Sequence, residues 1–305
     1  MRADQSTLKR VGLNWPNIRK NDMHQYTRIT SLLATDCGRL LMADILNQSV
    51  KELKLSKLTN TRQKASPVEC AVEPWGLAIL EDGRLAVTSA TSNCICLGDI
   101  KGSKGGWWPF GGLKGSKEDV ITTGRKYRGV ACGGNSTLIV SCKSEGDQPA
   151  SVDIIGLTGE LLRTIVTSKE IDDLKCPDYI HMMQGELLIA DRESNAVLRL
   201  NFPTGKLMAV HKHKDLKNPC QITSDRLGNV YVASKGGRCI LAIRADGKWR
   251  NLLKADDLPG LFSSVEHSNP HSVTVTTDSQ PKLIVGWQND QSGSVVTCHV
   301  KDVMS

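Results

Sequence analysis

Aromatic residues are scarce, 4% of the chain, so Val, Ile, Leu and Ala must do most of the packing. No apolar run approaches the 18 or more residues of a membrane span, and no membrane partner is expected. The opening stretch MRADQSTLKRVGLNW carries charge but no apolar segment, so it does not read as a secretory signal. No C-x-x-C pair occurs, which removes the usual framework of a zinc cluster. G-x-S-x-G, H-E-x-x-H and Walker-type loops are missing too, and the seven His are scattered. These gaps leave no catalytic arrangement, no metal site and no cofactor to expect. Nor does any window hold a sustained helical stripe.

What the sequence does contain is enough apolar mass for a core. Residues of hydrophobic type make up 39% of 305, beside 27 Gly, which excludes a disordered chain. The formal charge of +7 is mild. Ten Cys lie mostly inside apolar runs such as SNCICL and GVACGG, and read as small buried hydrophobes in a reducing cytoplasm.

One grammar recurs along the chain: an apolar strand, a turn with Gly or a polar pair, a second apolar strand ending in a small or acidic residue, a polar loop, then a third strand. RITSLLATDCGRLLMADILNQSVKELKL (28–55), PWGLAILEDGRLAVTSATSNCICL (74–97), PDYIHMMQGELLIADRESNAVLRL (177–200), PCQITSDRLGNVYVASKGGRCILAI (219–243) and the copy beginning at Pro270 follow it. A weaker, degenerate copy begins at Arg128. The leading residues Arg28, Pro74, Arg128, Pro177, Pro219 and Pro270 are 42 to 54 residues apart. Asp82-Gly83, Gly133-Gly134 and Gly228-Asn229 are hairpin signals. Short strands at this spacing, four to a unit, predict an all-β, six-bladed β-propeller.

The last unit runs out at Ser305 before its fourth strand. Residues 7–15, TLKRVGLNW, are expected to supply that strand and close the ring. The whole chain 1–305 then reads as a single propeller domain. Its blades fall near 26–70, 71–125, 126–168, 169–214, 215–254 and 255–305 plus 7–15.

The leading Pro, the D-G-R-L-x-V and G-N-V-Y-V-A-S hairpins and the phrase A-D-R-E-S-N-A-V-L-R-L at 190–200 resemble NHL repeats. The chain is similar to the C-terminal NHL propeller of TRIM-NHL proteins, particularly divergent invertebrate ones. It departs from them in lacking the Asn-His-Leu triplet, for which Asn195-Ala196-Val197 is the nearest match. The resemblance implies a recognition domain of the ubiquitin pathway that binds a protein or RNA. The Cys/His pattern of a RING or B-box is missing, so ligase activity is expected to lie outside this chain. WD40 repeats fit less well, because Gly-His and Trp-Asp pairs are not in register.

Loops on a rigid scaffold carry function, which directs the search to one propeller face. Its second-to-third-strand loops and leading segments supply Arg28, Trp75, Tyr127, Arg128, Lys143, Tyr179, Arg192, Lys235, Arg238, His271 and Trp287. Cations neutralise phosphates and aromatic faces stack unpaired bases, so single-stranded RNA is one candidate partner. Acids in the same loops, among them Asp44, Glu145, Asp147, Asp191 and Glu193, favour a protein or peptide at least as well. A second candidate surface is the segment 98–119, where Trp107, Trp108 and Phe110 cluster among Gly and Lys. The alternative reading is a metal-dependent hydrolase of the six-bladed lactonase type, with Asp178 as the one leading-segment acid available to a channel metal.

Overall fold

In the computed structural model, residues 9–11, 27–57, 66–69, 72–89, 91–99, 120–257, 268–288 and 293–300 are described. They form twenty-four strands in six four-stranded antiparallel sheets, the blades of a β-propeller, and almost no helix. The first sheet contains β2 (Ile29–Ala34), β3 (Arg39–Asp44), β4 (Ser49–Lys54) and β5 (Ser66–Glu69). The second contains β6 (Pro74–Ile79), β7 (Arg84–Ser89), β8 (Cys94–Asp99) and β9 (Val120–Thr122). The third is β10 (Gly129–Gly134), β11 (Thr137–Cys142), β12 (Ser151–Gly156) and β13 (Leu161–Thr167). The fourth is β14 (Pro177–Met183), β15 (Glu186–Asp191), β16 (Ala196–Asn201) and β17 (Leu207–His211). The fifth is β18 (Pro219–Ser224), β19 (Val230–Ser234), β20 (Cys239–Ile243) and β21 (Trp249–Lys254). In the sixth, β22 (Asn269–Val275), β23 (Lys282–Gln288) and β24 (Gly293–His299) are completed by β1 (Lys9–Val11). Lys9, Arg10 and Val11 pair with Thr297, Val296 and Val295, so the outer strand of the last blade does come from the N-terminal segment.

Two compact units divide the chain. One comprises 1–47, 51–67 and 213–305; the other comprises 48–50 and 68–212.

Second strands read as continuous apolar runs because both of their faces are covered. RLLMAD in β3, RLAVTS in β7 and ELLIAD in β15 are buried at every position but the first. Outer strands behave as edges: Leu161 and Leu162 on β13 and Met208 on β17 stand more than half exposed. Three first-to-second-strand turns share one geometry. The N–H groups of Gly38, Gly83 and Gly228 bond back to the carbonyls of Thr35, Leu80 and Asp225, and each glycine lies at φ near +80°. That region admits glycine without a Cβ penalty, which is why a glycine recurs at this turn.

The second strand also explains why most of the repeats close on small or acidic residues. In the 68–212 unit the fifth positions of β7 and β11, Thr88 and Ser141, let the next inner strands, β10 and β14, approach closely. Thr88 Oγ1 donates to the Arg128 carbonyl at 2.5 Å, and Ser141 Oγ donates to the Pro177 carbonyl at 2.6 Å. A Cβ on Gly129 would collide with Ser141 Oγ. The sixth position caps backbone. Asp191 accepts from the N–H groups of Lys175, Cys176 and Ser194, Asp44 from that of Arg28, and Ser234 from that of Lys217. Asp44 and Asp191 are fully buried in these roles and present no charge to a partner, which corrects their expected place among the surface acids.

Most inner strands begin with a β-bulge. The register slips between Ile29 and Ser31, Pro74 and Leu77, Pro177 and Tyr179, Pro219 and Ile222, and Pro270 and Ser272. Proline has no N–H for the ladder, and the extra residue re-aims side chains. The bulged residues include Trp75, Asp178, Gln221 and His271.

Candidate functional site

The starts of β6, β10 and β14 and the loops after β7, β11 and β15 form one face of the 68–212 unit, termed here the upper face. Its centre is a salt-bridged cluster. Asp178, in the β14 bulge, is 2% exposed. Its Oδ1 accepts from Arg128 Nη1 at 2.9 Å and its Oδ2 from Arg192 Nε at 2.7 Å. Arg128 comes from the residue before β10 and Arg192 from the residue after β15. Cys176 lies beneath: its thiol donates to Asp178 Oδ1 at 3.4 Å, and its sulfur accepts from Arg192 Nη2 at 3.0 Å. Burial and the charge of Asp178 push this thiol up to about 12, so it stays protonated and unreactive.

Arg128 also lies over the Trp75 ring, with Cζ 4.6 Å from the centroid. Trp75 in turn stacks on Tyr179 at 5.8 Å between centroids. One carboxylate therefore orders two guanidinium groups and, through one of them, an indole.

Four of the expected surface residues thus meet: Trp75, Arg128, Tyr179 and Arg192. Trp75 is half-buried, but Tyr179 is only 4% exposed and serves as its floor. Tyr127 corrects the sequence reading, since it is buried and its hydroxyl donates to Asp153 Oδ2 at 2.9 Å. Burial and the adjacent Asp153 raise its ionisation well above the ordinary phenol range. Lys143 is exposed in the loop after β11.

Arg28, Lys235, Arg238, His271 and Trp287 belong to the other unit. Trp287 and His271 are buried, at 1% and 3% exposed, so their rings offer no contact surface. The inner-strand start and the packed second strand that hold them are core positions. Arg28 is exposed, Lys235 is half-buried, and Arg238 pairs with Asp256 at 3.5 Å. Trp107, Trp108 and Phe110 lie outside the described residues.

Sequence reasoning passed over Arg125 and Cys176. The signal for the first was present: Arg125-Lys126-Tyr127-Arg128 places three cations in four residues immediately before β10. Arg125 Nη1 donates to Ser151 Oγ at 2.8 Å, and its Nη2 to the carbonyls of Pro149 and Lys143 at 2.7 and 3.4 Å. Beside it opens a pocket of about 250 Å³ lined by Thr91, Arg125, Lys126, Arg128, Cys142, Lys143 and Glu145.

The cluster limits what Asp178 can do chemically. Both oxygens are engaged by cations, which is the opposite of what a divalent metal requires from a ligand. Among the described residues, no three His, Cys, Asp or Glu side chains converge.

No family model and no curated protein matches this chain. Solved structures match it along most of its length. A protein provisionally identified as a gluconolactonase superposes with a TM-score of 0.64 at 13% identity, covering 96% of this chain and 92% of that one. A streptogramin B lyase gives 0.62 at 13% identity, covering 95% and 96%. A chain of a nidogen/laminin complex gives 0.58 at 15% identity, covering 81% and 90%. Two of these are named as enzymes and one as part of a protein complex. At such identities what they share with this chain is the six-bladed β-propeller fold.

Proposed function

We propose that this chain is a non-catalytic recognition module of the NHL-repeat kind, similar to the propellers of TRIM-NHL ubiquitin ligases. In this reading it presents its upper face to a protein or peptide partner. One observation carries the proposal: Asp178 is spent on ordering Arg128, Arg192 and Trp75 into a fixed polar and aromatic surface. Rigid aromatic and Arg anchors are what interface hot spots are made of. A reaction would need that carboxylate free; a docking surface needs it where it is. The propeller of the nidogen/laminin complex supports protein binding as a use of this fold. A cytoplasmic setting is proposed as well, and the nine cysteines among the described residues, all free, are in keeping with it.

The test is chemical crosslinking of the full chain in cell extract, with peptide and RNA adducts identified from the same sample. The expected result is protein adducts concentrated on Lys126 and Lys143. Adducts confined to other surfaces, or turnover of a lactone by the purified protein with stoichiometric calcium bound, would overturn it.

A further inference from the structure

The pocket beside the cluster has a charge imbalance that the cluster itself does not have. Arg128 and Arg192 are matched by Asp178, and Arg192 also faces Glu193 at 3.6 Å. Lys126 is matched by Glu145 at 2.9 Å. Arg125 is not matched: its guanidinium is held by a hydroxyl and two carbonyls. The nearest buried carboxylate, Asp153, is turned to Tyr127, Ser151 and Thr164, and reaches Arg125 only through the Ser151 hydroxyl. Lys143 makes no direct salt bridge among the described residues, but Glu145, on the same rim, attracts it and Arg125 as well as Lys126. One carboxylate facing three cations leaves an excess of positive charge, and such a pocket with a threonine hydroxyl on its rim is a site for an anion.

Resting on the recognition reading above, we infer that this pocket takes a carboxylate or phosphate group of an acidic peptide, held between Arg125, Arg128 and Lys143. Arg125 is preorganised, since its backbone and hydroxyl contacts fix the guanidinium before any ligand arrives. Arg128 is likewise fixed by Asp178 and Trp75. Lys143 is exposed on the rim and supplies the third cation.

The same residues argue against nucleic acid. Single-strand binding needs open aromatic faces for bases. Tyr127, Tyr179 and Trp287 are buried, and Trp75 is engaged by Arg128 and Tyr179. Among the described residues, the lining of this pocket offers charge and no aromatic side chain.

The experiment is fluorescence anisotropy on the full chain at low ionic strength. The probes are a short peptide of alternating Glu and Ser, the same peptide with phosphoserine, its Lys counterpart, inorganic phosphate and oligouridine. The two acidic peptides should bind and the Lys peptide should not, with affinity falling steeply as salt screens the pocket. Lys143→Glu should weaken acidic-peptide binding about ten-fold, as charge reversal at a contact does. Arg226→Glu, at an exposed turn in the other unit, should leave it unchanged. If phosphoserine alone binds, the anion is phosphate; if both bind equally, a carboxylate suffices.

No acidic-peptide binding, equal losses in the two variants, binding of phosphate alone, or oligouridine binding in its place would each overturn the inference. Retention of a crosslinked protein partner by Lys143→Glu, without acidic-peptide binding, would sink the anion pocket and leave the recognition reading standing. Partner adducts away from the upper face would sink both.

Discussion

Asp178 holds two arginines at once, and this shared load has a measurable signature. Removing either Arg128 or Arg192 leaves the buried carboxylate one partner; removing both strands it. Arg128→Ala and Arg192→Ala together should therefore destabilise more than the sum of the single changes, by about 0.5–3 kcal/mol of coupling. Urea denaturation of the four proteins measures it, and additive losses would mean the arginines act independently. His181, on β14, gives the second prediction at this scale. Burial lowers its pKa from the ordinary 6.5 to about 4. Between those values the unfolded chain binds more protons than the folded one, so stability is complete above pH 6.5 and falls as pH drops toward 4. The loss should be smaller in His181→Leu, and equal slopes for the two proteins over that window would contradict a half-buried imidazole held neutral in the fold. Residue orientation was the least legible feature of the sequence. A bulge at the head of a strand reverses which side chains face inward. Tyr179 and His271 sit at such bulges and are buried rather than displayed. Tyr127 lies before a strand but buries its ring against Asp153's sheet.

Strands, by contrast, could be read almost one by one, because covered second strands leave unbroken apolar runs and the αL glycines mark the turns between them. The outer strand of the last blade followed from arithmetic: one sheet was short by a strand and the N-terminal segment held a spare. Pairing of β1 with β24 makes that strand a stabilising element rather than a tail. A chain beginning at Tyr26 should melt below the full-length protein and aggregate more readily, since β24 then offers an unpaired edge carrying Val295 and Val296. Calorimetry and light scattering measure the two effects; an unchanged melting temperature would show the pairing to be dispensable. The salt-bridged cluster was not legible at this level, because it joins residues from three sheets that no local pattern connects.

For the molecule as a whole, the repeat period dictated six four-stranded sheets, but the ligand depends on which charges remain unmatched after folding. That balance exists only in three dimensions, where Asp44 and Asp191 turn inward as backbone caps while Arg125, Lys126 and Lys143 share the single carboxylate of Glu145. The unit comprising 1–47, 51–67 and 213–305 contains a further long-range tie. The side-chain amide of Gln221, in the β18 bulge, accepts from the N–H groups of Leu32 at 2.8 Å and Val273 at 3.1 Å, and donates to Ser31 Oγ and the Leu32 carbonyl. One glutamine thereby links inner strands of three blades, across 52 and 189 residues of sequence. Those two amide hydrogens cannot meet solvent by fraying of a single blade; the strands that share Gln221 must part together. Native-state hydrogen exchange at Leu32 and Val273 should therefore proceed with the free energy of unfolding the whole unit, and Gln221→Ala should drop both to the level of local opening. Fast exchange at either amide in the unaltered protein would show that these blades open singly.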